Sequence, residues 1–148
     1  MINDKVKATG QVSIVLTGPD GKVKDTRDIK NLVVDAGEAF IASRMAGTSS
    51  AVMSHIGIGS GTTAAAAGNT ALETAVGARV ALTSTTPSAS VITYVGSFVA
   101  GASTGAITEA GIFNDLTAGT MLCRTTFAVV NKLADDTLSI TWAVTIAG

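Results

Sequence analysis

Charge, histidine, cysteine and aromatic side chains are all scarce in this chain of 148 residues. Only 14% of positions are charged, against about a quarter in an ordinary soluble domain. One cysteine, Cys123, excludes an internal disulfide. One histidine, His55, means that a transition-metal site would have to be assembled from scattered carboxylates. Aromatics are 4% of the chain, and Trp142 falls in the core phase of its strand, which disfavours a sugar-binding face of exposed rings. No apolar run approaches the roughly 18 residues of a membrane-spanning helix. The start, MINDKVKATGQV, lacks the apolar core of a signal peptide. A net charge of −1 gives no general attraction for nucleic acid. The expectation is a soluble, cytoplasmically made protein with no membrane or nucleic-acid partner.

What is abundant is small and apolar. Hydrophobic residues make up 47% and mean hydropathy is +0.45. The length suits one domain, able to bury roughly 70% of its unfolded surface. Charge is concentrated early: seven Lys/Arg and six Asp/Glu lie at or before Arg44, three and five after it. Ser, Thr, Ala and Gly cover the remainder, which implies a surface largely turned toward other protein.

The last third organises the chain. In DTLSITWAVTI, Leu138, Ile140, Trp142, Val144 and Ile146 alternate with Ser139, Thr141, Ala143 and Thr145, the period of a half-buried strand. In GTMLCRTTFAVV, Met121, Cys123, Thr125, Phe127 and Val129 form one face; Leu122, Arg124, Thr126 and Ala128 form the other. With GAITEAGIF before them, and the turns NDLTAG and NKLADD between, they read as an antiparallel meander. Upstream, QVSIVLT and KVKDTRDI flank the tight turn GPDG, the second arm being a charged edge strand. SHIGIG, ARVALTSTT and VITYVGSFVAG add strands, Gly57 and Gly59 leaving room for a bulge or a close backbone approach. One helix is expected at about 36–46, with Asp35 as N-cap, Glu38 completing a capping box, Phe40, Ile41 and Met45 on one side and Gly47 at its end. The sum is an all-β antiparallel β-sandwich with one short helix, as residues 10–148, preceded by an extended arm over 1–9. A jelly roll and other sandwich topologies fit the strand count equally.

Candidate chemistry is thin. Gly59-Ser60-Gly61-Thr62-Thr63-Ala64 matches the dinucleotide fingerprint in form, but no acidic residue follows between Glu73 and Glu109, and no crossover helices alternate with the strands. Cys123 shares a face with Met121 and Phe127 and reads as a small buried hydrophobe. Asp135-Asp136 reads as a solvated turn. No triad, no metal set and no cofactor site are expected, hence no enzyme and no small-molecule substrate. Glu109 is the exception, a charge inside an apolar strand that needs a partner. Arg79 and Arg124 are the only arginines in the β-rich region; a structural bridge from Glu109 to Arg79 at the sheet edge is the expectation.

NLVVDAGEAFIASRM, SHIGIGSGTTAAAAGNTALETAVGARVALTS and GAITEAGIFND…GTMLCRTTFAVVNK…DTLSITWAVTI resemble a group of small tailed-bacteriophage virion proteins. The similarity runs through most of the chain from Asn31, with an ITEAGIF-type signature. The resemblance implies a β-sandwich that binds other virion proteins and does no chemistry. Its members include capsid decoration (cement) proteins and tail or fibre adaptors. Lacking a long fibre region or coiled coil, this chain is expected to be a cement protein on the capsid surface, contacting the major capsid protein and copies of itself. A tail adaptor or short appendage in host attachment is the alternative. The expected contact elements are the arm (Met1, Lys5, Lys7) and the Ala/Thr loop (Thr62, Thr63, Asn69, Thr70).

Overall fold

A computed structural model describes residues 6–47 and 51–147. The expectations attached to Met1 and Lys5 lie outside them. Among the described residues, nine strands and one helix follow in the order β1 Lys7–Thr17, β2 Val23–Val33, α1 Asp35–Met45, β3 His55–Gly59, β4 Val80–Ala81, β5 Ser84–Ser88, β6 Val91–Phe98, β7 Gly105–Phe113, β8 Met121–Lys132 and β9 Thr137–Ala147. The fold is all-β and antiparallel, with strand order β4-β3-β7-β8-β2-β1-β9-β6-β5.

One long strand turns the corner. Most of β2 pairs with β1, but its last two residues, Leu32 and Val33, pair with Arg124 and Cys123 of β8. The two ends of the sheet also approach each other. The Leu82 N–H donates to the Ser54 carbonyl just before β3, and the next N–H, Thr83, donates to Val95 of β6. The sheet therefore curls, and both halves contribute to one core. Val12, Ile14, Phe98, Ile140 and Trp142 from one half meet Ile56, Ile58, Ile107 and Ile112 from the other. At roughly 1.5–3 kcal/mol per buried large apolar side chain, this cluster is the main stabilising term.

The alternation read in β9 holds. Leu138, Ile140, Trp142 and Val144 are buried, and Ile146 packs at the margin. In β8 it holds only halfway. Ile107 pairs with Val130 while Glu109 pairs with Thr126, so β8 carries two extra residues between these points. Beyond this irregularity Val129, expected in the core, is 44% exposed, and Val130, opposite buried Ile107, is buried instead. After it, Lys132 follows Val130 onto the inner face.

Two further expectations are corrected. Lys7, Ala8 and Thr9 are not an arm; they open β1 and pair with Ala147, Ile146 and Thr145. The capping box does not form either. Val34 is the N-cap, with no side-chain cap bond, and Asp35 is the first helical residue. The reason is that the chain passes straight from β2 into α1 on a fully buried Val34, and the Asp35 N–H is satisfied by the Ala67 carbonyl at 2.8 Å. Asp35 and Glu38 still sit in the first turn and Arg44 in the last, where they suit the helix dipole. Gly47, at φ +74°, stops the helix as expected.

Candidate functional site

Glu109 on β7 is fully buried and gathers the long loop between β3 and β4 around itself. Its Oε2 accepts the Gly61 N–H and the Thr74 N–H, each at 2.8 Å. Its Oε1 accepts the Glu73 N–H at 2.9 Å and the Arg124 Nε–H at 3.1 Å. Arg124 Nη2 lies 3.0 Å from the same oxygen, its N–H directed off the line. A buried carboxylate is costly unless paired and hydrogen-bonded, and this one is both.

The partner is therefore Arg124 and not Arg79, and the pair is not at the sheet edge. Register explains the choice. Thr126 of β8 stands opposite Glu109 and Arg124 opposite Gly111, so Arg124 is the diagonal neighbour, within reach of a long side chain. Arg79 is committed elsewhere. Its guanidinium lies 3.4 Å from the Phe113 ring centroid, and Nη1 donates to the carbonyls of Asp115 and Ala118 at 3.0 and 2.7 Å.

A second layer extends the network. Arg124 Nη1 donates to Asn69 Oδ1 at 3.1 Å, which also accepts the Ala66 N–H at 2.8 Å. Glu73 accepts the Thr62 and Thr63 N–H groups at 2.9 and 3.2 Å and the Thr63 hydroxyl. That hydroxyl, then the two N–H groups, hold the Glu73 carboxyl below its usual range. The Thr108 hydroxyl donates to the Gly61 carbonyl at 2.7 Å. Glycine is required in this turn: a Cβ on Gly61 would sit 2.8 Å from Glu109 Cδ. At Gly59 the Thr74 carbonyl comes so near that a Cβ would overlap it, the close backbone approach expected there.

The glycine turn does bind an anion, and that anion is the protein's own side chain. The amides of Gly61, Thr62 and Thr63 are occupied by the carboxylates of Glu109 and Glu73. Of the expected contact residues, Thr62, Thr63 and Asn69 thus serve to order the loop, while Thr70 is exposed. Lys7 stands on β1 beside Glu38 and Met45 of α1, away from this network. His55 Nδ1 lies 2.7 Å from Ser54 Oγ. Among the described residues no group of three or more His, Cys, Asp or Glu side chains is placed to hold a metal.

Sequence reasoning missed a second polar cluster. Asp136 is buried, not solvated; it accepts from Lys24 Nζ at 2.8 Å and from the Leu133 N–H at 2.9 Å. Nearby, buried Lys132 donates to the Val99 carbonyl at 3.1 Å. The signal for Lys132 was its period-2 spacing from Val130. The Lys24 bond, then the Leu133 N–H, hold the Asp136 carboxyl below its usual 3.8. A depressed folded-state value means stability present above pH 3.8 and lost as pH falls through the lower folded value. Asp136→Asn should therefore flatten the acid limb of the stability curve below about pH 4, read by urea midpoints against pH. An unchanged acid limb would remove this linkage.

Cys123 is buried on β8, and burial pushes its thiol up to about 12 despite the neighbouring Asn31 amide. The native protein should resist thiol reagents at pH 8 and react fully once unfolded. Native-state labelling at the rate of a free thiol would contradict this.

Two surfaces remain. One is the outer face of β1, β9 and β6, where Gln11, Ser13 and Val15 stand in register with Ala143, Thr141 and Ser139, then with Thr93, Val95 and Ser97. No charge falls in this array; the charges begin at its rim, on Lys30, Asp28 and Lys24 of β2. The other surface surrounds α1, with three apolar clefts between the helix and the sheet. No protein-family model, curated protein or solved structure matches the chain. The phage resemblance rests on the residues quoted above.

Proposed function

We propose that this chain is a structural component of a bacteriophage particle, a decoration protein that binds across capsid subunits and stabilises the head. The observation that carries the reading is the uncharged Ser/Thr/Val/Ala face of β1, β9 and β6. Poor in charge, such a face can lie against another protein with little desolvation penalty, and many copies on a lattice turn modest single contacts into large avidity. The ionisable groups best placed for chemistry support the same reading, because Glu109, Arg124 and Glu73 are spent on holding a loop. A jelly-roll arrangement of the strands belongs to this proposal as well.

The test is the position and number of labelled copies on an intact particle. Hundreds of copies on the head lattice support decoration; a handful at the tail would replace it with the adaptor role, and absence from the particle would end both. Removal of Met1–Lys5, which keeps every residue of β1 from Lys7 onward, is the truncation that probes an N-terminal contact. Undiminished occupancy by that truncation would exclude these residues from attachment.

A further inference from the structure

Residues 60–76 leave the end of β3, pass around Glu109 and return along β3 to an isolated antiparallel bridge between Gly59 and Ala75. The segment is exposed except for buried Gly61 and the partly buried Ala65, Asn69, Leu72 and Val76. Its apolar hold is slight: Leu72 packs against the small cluster of Val34, Phe113 and Met121, and Val76 against the main core. Its backbone meets the rest of the protein at the Val76 N–H, which donates to the Ile58 carbonyl at 2.9 Å, and at the Ala67 carbonyl, which accepts from Asp35 of α1. Carboxylates supply the remaining fastening. Glu109 accepts N–H groups from both ends of the segment, Gly61 at one and Glu73 and Thr74 at the other. Glu73 closes the ring from within by holding Thr62 and Thr63. Few buried apolar contacts and exposed backbone are the marks of local opening. Because both ends share one acceptor, neither lifts without loosening the other.

We propose that residues 60–76 are a latched strap, which opens as one unit on a sheet that stays folded, with Glu109 as the latch. Closed, the strap covers the edge of β3 that β4 leaves bare, since β4 pairs with His55 and Ile56 and the strap takes over at Ile58 and Gly59. Opening frees the Ile58 carbonyl, releases the start of α1 from Ala67 and admits water to the buried Glu109 and Arg124. A bared strand edge is a template for pairing with extended chain, so the closed strap also guards β3 against strand addition. The strap needs no particle to open, so its behaviour is independent of the capsid role.

The experiment is amide hydrogen exchange of the full chain, followed residue by residue by NMR with and without low urea. Exchange reports opening equilibria, and the urea slope reports how much surface each opening exposes. In the wild type the amides of Gly61, Thr62, Thr63, Glu73, Thr74 and Val76 should share one opening equilibrium. It should lie on the order of tenfold or more above that of Val12, Ile140 and Trp142 in the doubly paired strands β1 and β9, with a much shallower urea slope. Glu109→Gln should raise the strap values together, again on the order of tenfold or more, for loss of a charged acceptor. Glu73→Gln, at an exposed side chain, should raise them with the fold intact. Circular dichroism and the chemical shifts of β1 and β9 show that each variant is folded. Strap amides that open with the value and slope of Val12 and Trp142 would mean that they open only with the whole protein, which overturns the proposal. So do unrelated values within the strap, which leave no unit to open. Unchanged strap values in either folded variant overturn the carboxylates as its fastening.

Discussion

Glu109→Ala should lower stability by about 3–5 kcal/mol, the range for breaking a buried ion pair from one side. Two penalties compete for the largest share. Three N–H groups, of Gly61, Glu73 and Thr74, lose their acceptor. They belong to a loop, however, and a loop can lift away and hydrate. Arg124 cannot, because it is 2% exposed within β8 and would lose the one carboxylate in direct contact with its guanidinium. The stranded guanidinium therefore dominates the loss, and loop release accompanies it. Glu109→Leu combined with Arg124→Met should be milder than Glu109→Ala, since no unpaired charge is left in the core. Urea midpoints measure the first effect, and hydrogen exchange of residues 60–75 measures the second, rising sharply in both variants. A loss below about 1 kcal/mol for Glu109→Ala would mean that desolvation already cancels the bonds the carboxylate makes.

Legibility varied along the chain with the range of the interactions involved. The β9 core face could be read because the period of a half-buried strand is local, and every residue of Leu138, Ile140, Trp142 and Val144 obeys it. ARVALTSTT reads as one strand but becomes β4 and β5 on opposite edges of the sheet, a division decided by distant partners, Ser54 and Val95. The β8 bulge is invisible for the same reason, since MLCRTTFAVVNK alternates plausibly straight through it. Glu109 announced itself as a charge among apolar neighbours, yet its choice between two arginines is a matter of diagonal register that only pairing reveals. Asp136 shows the converse error. Its NKLADD context is that of a solvated turn, and only the approach of Lys24 from β2 makes its burial tolerable.

Gly37→Ala should cost stability, although alanine ordinarily improves a helix interior by about 1 kcal/mol over glycine. Gly37 is the buried residue of α1 and lies directly on β8. A Cβ there would overlap the Leu122 carbonyl oxygen and stand 2.9 Å from that residue's carbonyl carbon and Cα. These are backbone atoms of a paired strand, so no rotamer change relieves the clash, and the helix itself must lift. Lifting also strains the Val34 N–H bond to the same Leu122 carbonyl, 3.2 Å long, and opens the packing of Val34 on Phe113 and Met121. Overpacking of this kind costs about 1–3 kcal/mol, enough to reverse the propensity gain. Gly68→Ala is the matched control, because nothing lies within 4 Å of its added Cβ. That substitution should be neutral or stabilising by up to about 1 kcal/mol. Thermal and urea midpoints compare the two. Gly37→Ala should therefore lower both midpoints, whereas Gly68→Ala should lower neither. A gain in stability from Gly37→Ala would show that α1 sits on β8 more loosely than these contacts require.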